Sequence, residues 1–230
     1  SIHRAWVNRA REIVDIAYVY YDDSDFSSEN PDYSGFFPGT KLQGAYDFLI
    51  ENEDIIEKYD YFWIIEDDLF IPHETIGVIV GFVNKYDIKL CAPSLSSDSY
   101  FSHSIMVRNT NLLLRGTDFV ECMAPIMSRD FLLRSLENFR EFPVWGIERF
   151  WQSLLWDMQE VAFIFDKWPI CHTRPIRSGS LYNVAEQMNI DLQADEEKAK
   201  ERYSEKFNRY INIFFGIQDR FDAPLLSGSA

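Results

Sequence analysis

Basic residues are scarce in this chain: 22 Lys and Arg stand against 37 Asp and Glu, a net charge of −15. That balance argues against a broad basic face for nucleic acid or anionic membrane, because binding a polyanion rests on neutralising its phosphates. It leaves room for a phosphate-bearing small molecule held through a metal. Cysteine is scarcer still. Cys91, Cys122 and Cys171 are too few, and odd in number, for a disulfide framework, and each lies in an apolar run. They read as buried structural thiols of a reducing compartment, so the expected location is cytoplasmic. No apolar run approaches the length of a membrane span, and no signal-peptide pattern opens the chain. Internal repeats and low-complexity linkers are also lacking.

What is abundant is apolar and aromatic. A hydrophobic content of 47% and an aromatic content of 16% over 230 residues describe a globular protein with many buried rings. The length suits one large domain, or a domain with an appendage. Strand and helix signals alternate. His3 to Glu12 reads as helix, Val14 to Tyr21 as strand, and Asp22 to Pro38 as a polar loop. Thr40 to Lys58 has helical spacing, and Tyr61 to Ile65 is a short buried strand. Thr75 to Tyr86 reads as helix and Lys89 to Pro93 as strand. Further strands are expected at Ile105 to Arg108, Phe119 to Ile126, Val161 to Phe165 and Trp168 to Thr173. Helices are expected at Ser128 to Phe139 and from Trp145-Gly146 through Asp157. The order predicts an α/β fold with one mostly parallel sheet flanked by helices. The boundary is placed at 182/183, with residues 183–230 forming a charged helical appendage and tail.

The most informative stretch is Asp60-Tyr-Phe-Trp-Ile-Ile-Glu-Asp-Asp-Leu-Phe-Ile71. A buried strand that discharges Glu66, Asp67 and Asp68 at its carboxyl end places them in the crevice where open α/β sheets bind ligands. Three adjacent carboxylates repel one another unless a cation neutralises them. Oxygen-rich clusters suit Mg²⁺ or Mn²⁺. The bland alternative is a helix N-terminus, which also welcomes acids.

Four other places carry chemistry. Tyr20-Tyr-Asp-Asp-Ser-Asp25 offers carboxylates to a ribose or base edge, or is a solvated acidic loop. Pro38-Gly-Thr-Lys41 opens a helix from which Lys41 could reach a phosphate. Trp145-Gly-Ile-Glu148 places an acid in a first helical turn, as a proton acceptor or simply as a favourable charge at the dipole. His172 closes the strand Trp168-Pro-Ile-Cys-His-Thr173, as a ligand or as a structural histidine.

Taken in order, these elements resemble the metal-dependent glycosyltransferases of the A-type (GT-A) fold. The resemblance implies that Asp23 contacts the nucleoside, that Gly39-Thr-Lys41 is the glycine–lysine element, and that Glu66-Asp67-Asp68 is the Asp-x-Asp metal motif. Glu148 would be the late acid that serves as base in inverting members, and His172 the histidine near the last core strand. The chain is more closely similar to an uncharacterised domain-of-unknown-function family of plants and some bacteria, placed near glycosyltransferases. Tyr59 to Leu69, Phe119-Val-Glu-Cys-Met-Ala-Pro-Ile-Met-Ser-Arg-Asp130, Trp145 to Glu148 and Phe165 to His172 look like its recurring blocks, covering Val14 to Pro175. Glu66 departs from the usual Asp, which makes Asp68 the safer metal ligand. The chain also begins with a helix, whereas the A-type fold begins with the strand that bears the first nucleoside contacts.

The resemblance implies a nucleotide-sugar donor, a saccharide or other hydroxyl acceptor, and Mn²⁺ or Mg²⁺ on Glu66, Asp68 and His172 with Asp67 near the phosphates. Glu148 would deprotonate the acceptor, giving inversion. Glu121, Arg129 and Trp145 are second-rank acceptor contacts; Tyr100, Phe101 and Trp151 are further aromatics for sugar rings. Self-association is left open. Two alternatives belong to other classes: a non-catalytic module of the same fold, and a metal-dependent phosphohydrolase. The Asp-x-Asp-x-Thr pattern of phosphoaspartate enzymes is missing, since Phe70 and Ile71 follow Leu69.

Overall fold

The computed structural model describes residues 2–21, 30–176, 178, 192–203 and 211–218. Helix α1 (Val7–Ala10) precedes strands β1 (Ala17–Tyr20) and β2 (Tyr33–Phe36). Helices α2 (Lys41–Glu51) and α3 (Glu53–Lys58) lead into β3 (Tyr61–Trp63), β4 (Leu69–Phe70) and α4 (His73–Tyr86). Next come β5 (Leu90–Leu95), β6 (Leu112–Thr117) and β7 (Ile126–Ser128). Then follow α5 (Arg129–Ser135), α6 (Asn138–Glu141), α7 (Ile147–Met158), β8 (Ala162–His172), α8 (Leu192–Tyr203) and β9 (Ile213–Gln218).

The main sheet runs β3-β7-β5-β8-β6-β9, with β4 paired to the far end of β8. Only β5 and β8 are parallel within it. The class is therefore α/β with a mixed sheet flanked by helices, not the mostly parallel sheet expected. Parallel neighbours need a crossover, usually a helix, and no α-helix intervenes between β5, β6 and β7. Strands β1 and β2 pair in parallel as a separate two-stranded sheet.

Alternation along the central strands sorts their side chains onto two faces. Leu90 and Ala92 of β5, Met127 of β7 and Ala162 and Ile164 of β8 join the larger core with α2, α5 and α7. Their neighbours Cys91, Ile126 and Phe165 point the other way, against Ile79 and Val83 of α4. Each central strand is thus apolar on both sides, as a sheet with helices on both faces requires. Helix α2 begins at a full capping box, Thr40 with Gln43, which fixes where Lys41 leaves the backbone.

Several expectations are corrected. Asp22 to Pro38 contains strand β2. The single helix expected over Thr40 to Lys58 is broken at Asn52, whose side-chain amide donates to the Phe48 carbonyl at 2.7 Å. Ile105 to Arg108 is not a strand; a 3₁₀ turn covers Ser104–Met106. Phe119 to Pro125 is a buried loop rather than a strand, and β6 was not foreseen. The two apolar runs on either side of Asp166-Lys167 form one continuous strand, β8. The tail expected to be helical up to Phe215 ends instead in β9, which pairs with β6, so residues beyond 183 supply a strand of the main sheet. Helix α8 packs on α7, burying Ala199 completely; a Cβ on Gly146 would lie 2.7 Å from the Ala199 Cβ. Among the described residues no helix is long and apolar enough to cross a membrane.

Candidate metal and acid–base site

The site forms where β3 runs out. Ile64 N–H donates to the Pro125 carbonyl at 3.0 Å and Glu66 N–H to that of Met123 at 3.3 Å. The chain then turns, and Leu69 pairs with His172 in the β4–β8 ladder. Thr173 locks this turn: its N–H and its hydroxyl both donate to the Asp68 carbonyl, at 3.1 and 2.7 Å. Glu66 and Asp68, from one turn, meet His172 from the end of β8, and each presents a ligand atom within 4.8 Å of the other two.

His172 is oriented for such a role. Its Nδ1 lies 2.8 Å from the Tyr100 carbonyl, so it carries the proton and leaves Nε2 facing Asp68 Oδ2 at 3.4 Å. A backbone carbonyl that fixes the tautomer in this way is the usual outer support of a metal-binding histidine. Burial disfavours the His172 cation, but the Asp68 hydrogen bond and charge, with the Tyr100 carbonyl, raise its pKa above the ordinary value. Burial likewise opposes the Asp68 carboxylate, yet His172 and Arg174 hold its pKa below the ordinary range. Asp68 is only 8% exposed, and its Oδ1 has no hydrogen-bond partner. A buried carboxylate oxygen left bare is costly unless something else meets it. The two carboxylates with one bare oxygen suit Mn²⁺ or Mg²⁺ in donor type, while the imidazole suits a transition metal such as Mn²⁺ better than Mg²⁺.

Countercharges are also present, which the sequence did not reveal. Lys41 Nζ is 3.0 Å from Glu66 Oε1 and 3.2 Å from the Met123 carbonyl, and it also donates to the Cys122 carbonyl. Burial opposes its charge, but Glu66 and neighbouring acids keep the pKa raised. Lys41 is thus engaged with the acid cluster, and a phosphate would have to draw it away from Glu66. Arg174 Nη1 lies 3.7 Å from Asp68 Oδ2 and 3.9 Å from Asp67 Oδ1. Its signal was its place two residues beyond His172, just after β8 ends.

The loop Phe119 to Pro125 connects this cluster to the candidate base. Cys122 N–H donates to Glu148 Oε1 at 3.1 Å, while the Cys122 and Met123 carbonyls accept from Lys41. Glu148 sits in the first turn of α7, which starts at Gly146 with φ 94°, a conformation that a β-carbon would strain. Glu121 is buried with Oε2 unpartnered. Burial, reinforced by Glu148 and Glu66, pushes its pKa up to about 8, so it carries a proton at neutral pH. His103, not singled out in the sequence, also faces this region. Burial lowers its pKa, while Glu148 and Glu196 pull the other way.

The remaining candidates are dispersed. Asp23 lies outside the described residues. Arg129 holds the Tyr59 carbonyl and Asp60, at the opposite end of β3 from Glu66. Trp151 is a core residue, 1% exposed. Trp145 is half-buried ahead of Gly146. Tyr100 and Phe101 are exposed beside His172, whose carbonyl accepts from Tyr100 N–H at 3.2 Å. Cys91 and Cys122 are buried free thiols, whereas Cys171 is only partly buried. Burial raises the pKa of both buried thiols well above the usual range.

No protein-family model matches the chain, and no curated protein matches it.

Proposed function

We propose that this protein is a divalent-cation-dependent glycosyltransferase of GT-A type, moving a sugar from a nucleotide-sugar donor to a hydroxyl acceptor with inversion. The observation that carries the reading is the convergence of Glu66, Asp68 and His172, with Asp68 Oδ1 bare, beside a loop that accepts from Glu66 N–H and donates to Glu148. Glu66, Asp68 and His172 would hold Mn²⁺ or Mg²⁺, which when bound offsets charge on the leaving nucleoside diphosphate. Arg174, partly exposed beside Asp67 and Asp68, would meet the same phosphates as a guanidinium donor.

Glu148 Oε1 is fixed by Cys122 N–H, and its second oxygen would take the proton of the acceptor hydroxyl. The acceptor oxygen then bonds to the sugar carbon on one face. The bond to the donor phosphate breaks on the other, and its electron pair leaves with the diphosphate. Tyr100 and Phe101 offer exposed rings on which a sugar can stack next to His172. Burial of Glu148, and of the loop that holds it, keeps bulk water from competing as acceptor.

A second reading, a non-catalytic module of the same fold, is favoured by one observation. The acids already have Lys41 and Arg174 as countercharges, so the site is partly neutralised without a cation. One experiment separates the two: release of nucleoside diphosphate from a panel of nucleotide sugars with Mn²⁺ and simple sugar acceptors. The transferase turns over one donor, and Glu148→Gln lowers kcat by roughly two to four orders of magnitude while donor binding survives. No turnover with any donor favours the module. Turnover unchanged in folded Glu148→Gln removes Glu148 as the base.

A further inference from the structure

We infer that β9 is a self-association edge, through which a second copy of this chain pairs strand to strand. Among the described residues, strand β9 is the last in the sheet and is hydrogen-bonded only to β6. In an antiparallel ladder alternate peptide groups point away from the partner strand, so the outer edge of β9 presents N–H and C=O groups that no described strand pairs. Such edges are normally blunted by a charge, a proline, an inward-pointing polar residue or a bulge. Ile213-Phe-Phe-Gly-Ile-Gln218 has no charge and no proline; its ladder with β6 shifts register at Phe214 and is regular from Phe215 to Ile217. All six residues are exposed, including Ile213 and Phe214 at 54% and Phe215 and Ile217 at 44% and 47%.

The pairing with β6 shows that β9 is built into the sheet. The Phe215 ring covers Gly116, where an added Cβ would lie 2.5 Å from it, and its centroid is 6.1 Å from that of Phe163. Strand β9 thus extends the apolar face that starts on β8 and leaves it half open.

Charge decides what meets this edge. The chain carries −15, so two copies repel over most of their surfaces, and an uncharged strand is where they can approach. A cationic partner would be drawn to acids, and β9 contains no acid. A neutral strand is self-complementary under a two-fold axis, which places β9 antiparallel to its own copy and doubles the sheet. Four side chains of roughly 200 Å² each, half exposed, offer roughly 400 Å² per copy, about half of a standard interface of ~800 Å² per partner. The dimer is therefore weak and concentration-dependent.

Sedimentation velocity on the full chain, from sub-micromolar to several hundred micromolar, measures it, with hydrogen exchange of residues 213–218 at both extremes. The expected result is a monomer–dimer equilibrium in which amides of β9 exchange more slowly at high concentration. Phe214→Lys, at the register shift, and Ile217→Lys, in the regular part of the ladder, each weaken the dimer at least about tenfold. Both substitutions reduce the net negative charge, so repulsion between acidic bodies alone would predict tighter association instead. Three results overturn the inference. The wild type stays monomeric with concentration-independent exchange, or a dimer forms that neither lysine affects, or it forms only after removal of residues 219–230, which would then themselves occupy the edge.

Discussion

Strand β8 carries two buried ionic groups, and they differ in how completely they are closed. Near its middle, Asp166 is fully buried and every oxygen is used. Arg115 Nε and Nη2 meet Oδ2 and Oδ1 at 2.8 and 3.0 Å, and Asn109 N–H adds a bond to Oδ1 at 2.7 Å. Arg115 spends a further donor on the Val107 carbonyl. At the end of the same strand, His172 faces Asp68, and there Asp68 Oδ1 and Glu121 Oε2 are buried without partners. A bidentate Arg–carboxylate pair with its remaining valences filled has no chemistry left to offer. A cluster with bare oxygens and a tautomer-fixed imidazole has been left incomplete on the protein side, which is what a ligand site needs. The two groups therefore fail differently when broken.

The largest effect belongs to the closed pair. Arg115→Met leaves Asp166 buried with one backbone N–H, and chemical denaturation is expected to lose about 3–5 kcal/mol. The double variant Arg115→Met/Asp166→Leu regains most of that loss, because neither charge then remains. Cation binding by the folded fraction of either variant stays at the wild-type level. Were Arg115→Met to cost no more than a surface pair, at most about 1 kcal/mol, the contrast between the two groups would be lost.

A smaller and opposite effect is expected at Glu121. Its folded pKa, about 8, lies above its ordinary value of 4.5, so between those values the folded state binds more protons than the unfolded state. Stability therefore falls as pH rises through this window, at most by about 1.4 kcal/mol per pH unit from this group. Glu121→Gln removes that dependence. Urea denaturation in EDTA from pH 5 to pH 9 should show a flatter profile for the variant, with the advantage greatest at the alkaline end. Identical profiles would mean that Glu121 is not held protonated.

The same comparison explains what the sequence could and could not disclose. The acids after β3 and the histidine ending β8 were legible, because local order places strand ends at one edge of a sheet. The helix starts at Pro38-Gly-Thr-Lys41 and at Trp145-Gly146 were legible for similar local reasons, whereas the capping box of Thr40 with Gln43 was not singled out. Phe119 to Pro125 was misread as a strand because apolar composition reports burial, and here a loop is buried. Its peptide groups are satisfied by Lys41, Glu148 and Glu66 instead of by a neighbouring strand. Asp166 made β8 look like two strands, since its partner Arg115 is 51 residues away. Lys41 and Arg174 as countercharges depended on tertiary contacts in the same way. Residues 213–218, expected within a helical appendage, form a strand because β6 offers them a ladder.

The central claim is that the incomplete group at the end of β8 receives a divalent cation. Calorimetric titration of the protein with Mn²⁺ alone, against Asp68→Asn and with Arg115→Met as the control from the closed pair, tests it without any sugar donor. A single site is expected in the wild type and in folded Arg115→Met, with an affinity at least about a hundredfold weaker in Asp68→Asn, whose melting temperature in EDTA stays near that of the wild type. Equal affinity in wild type and Asp68→Asn, or no binding by the wild type at millimolar Mn²⁺, would contradict it.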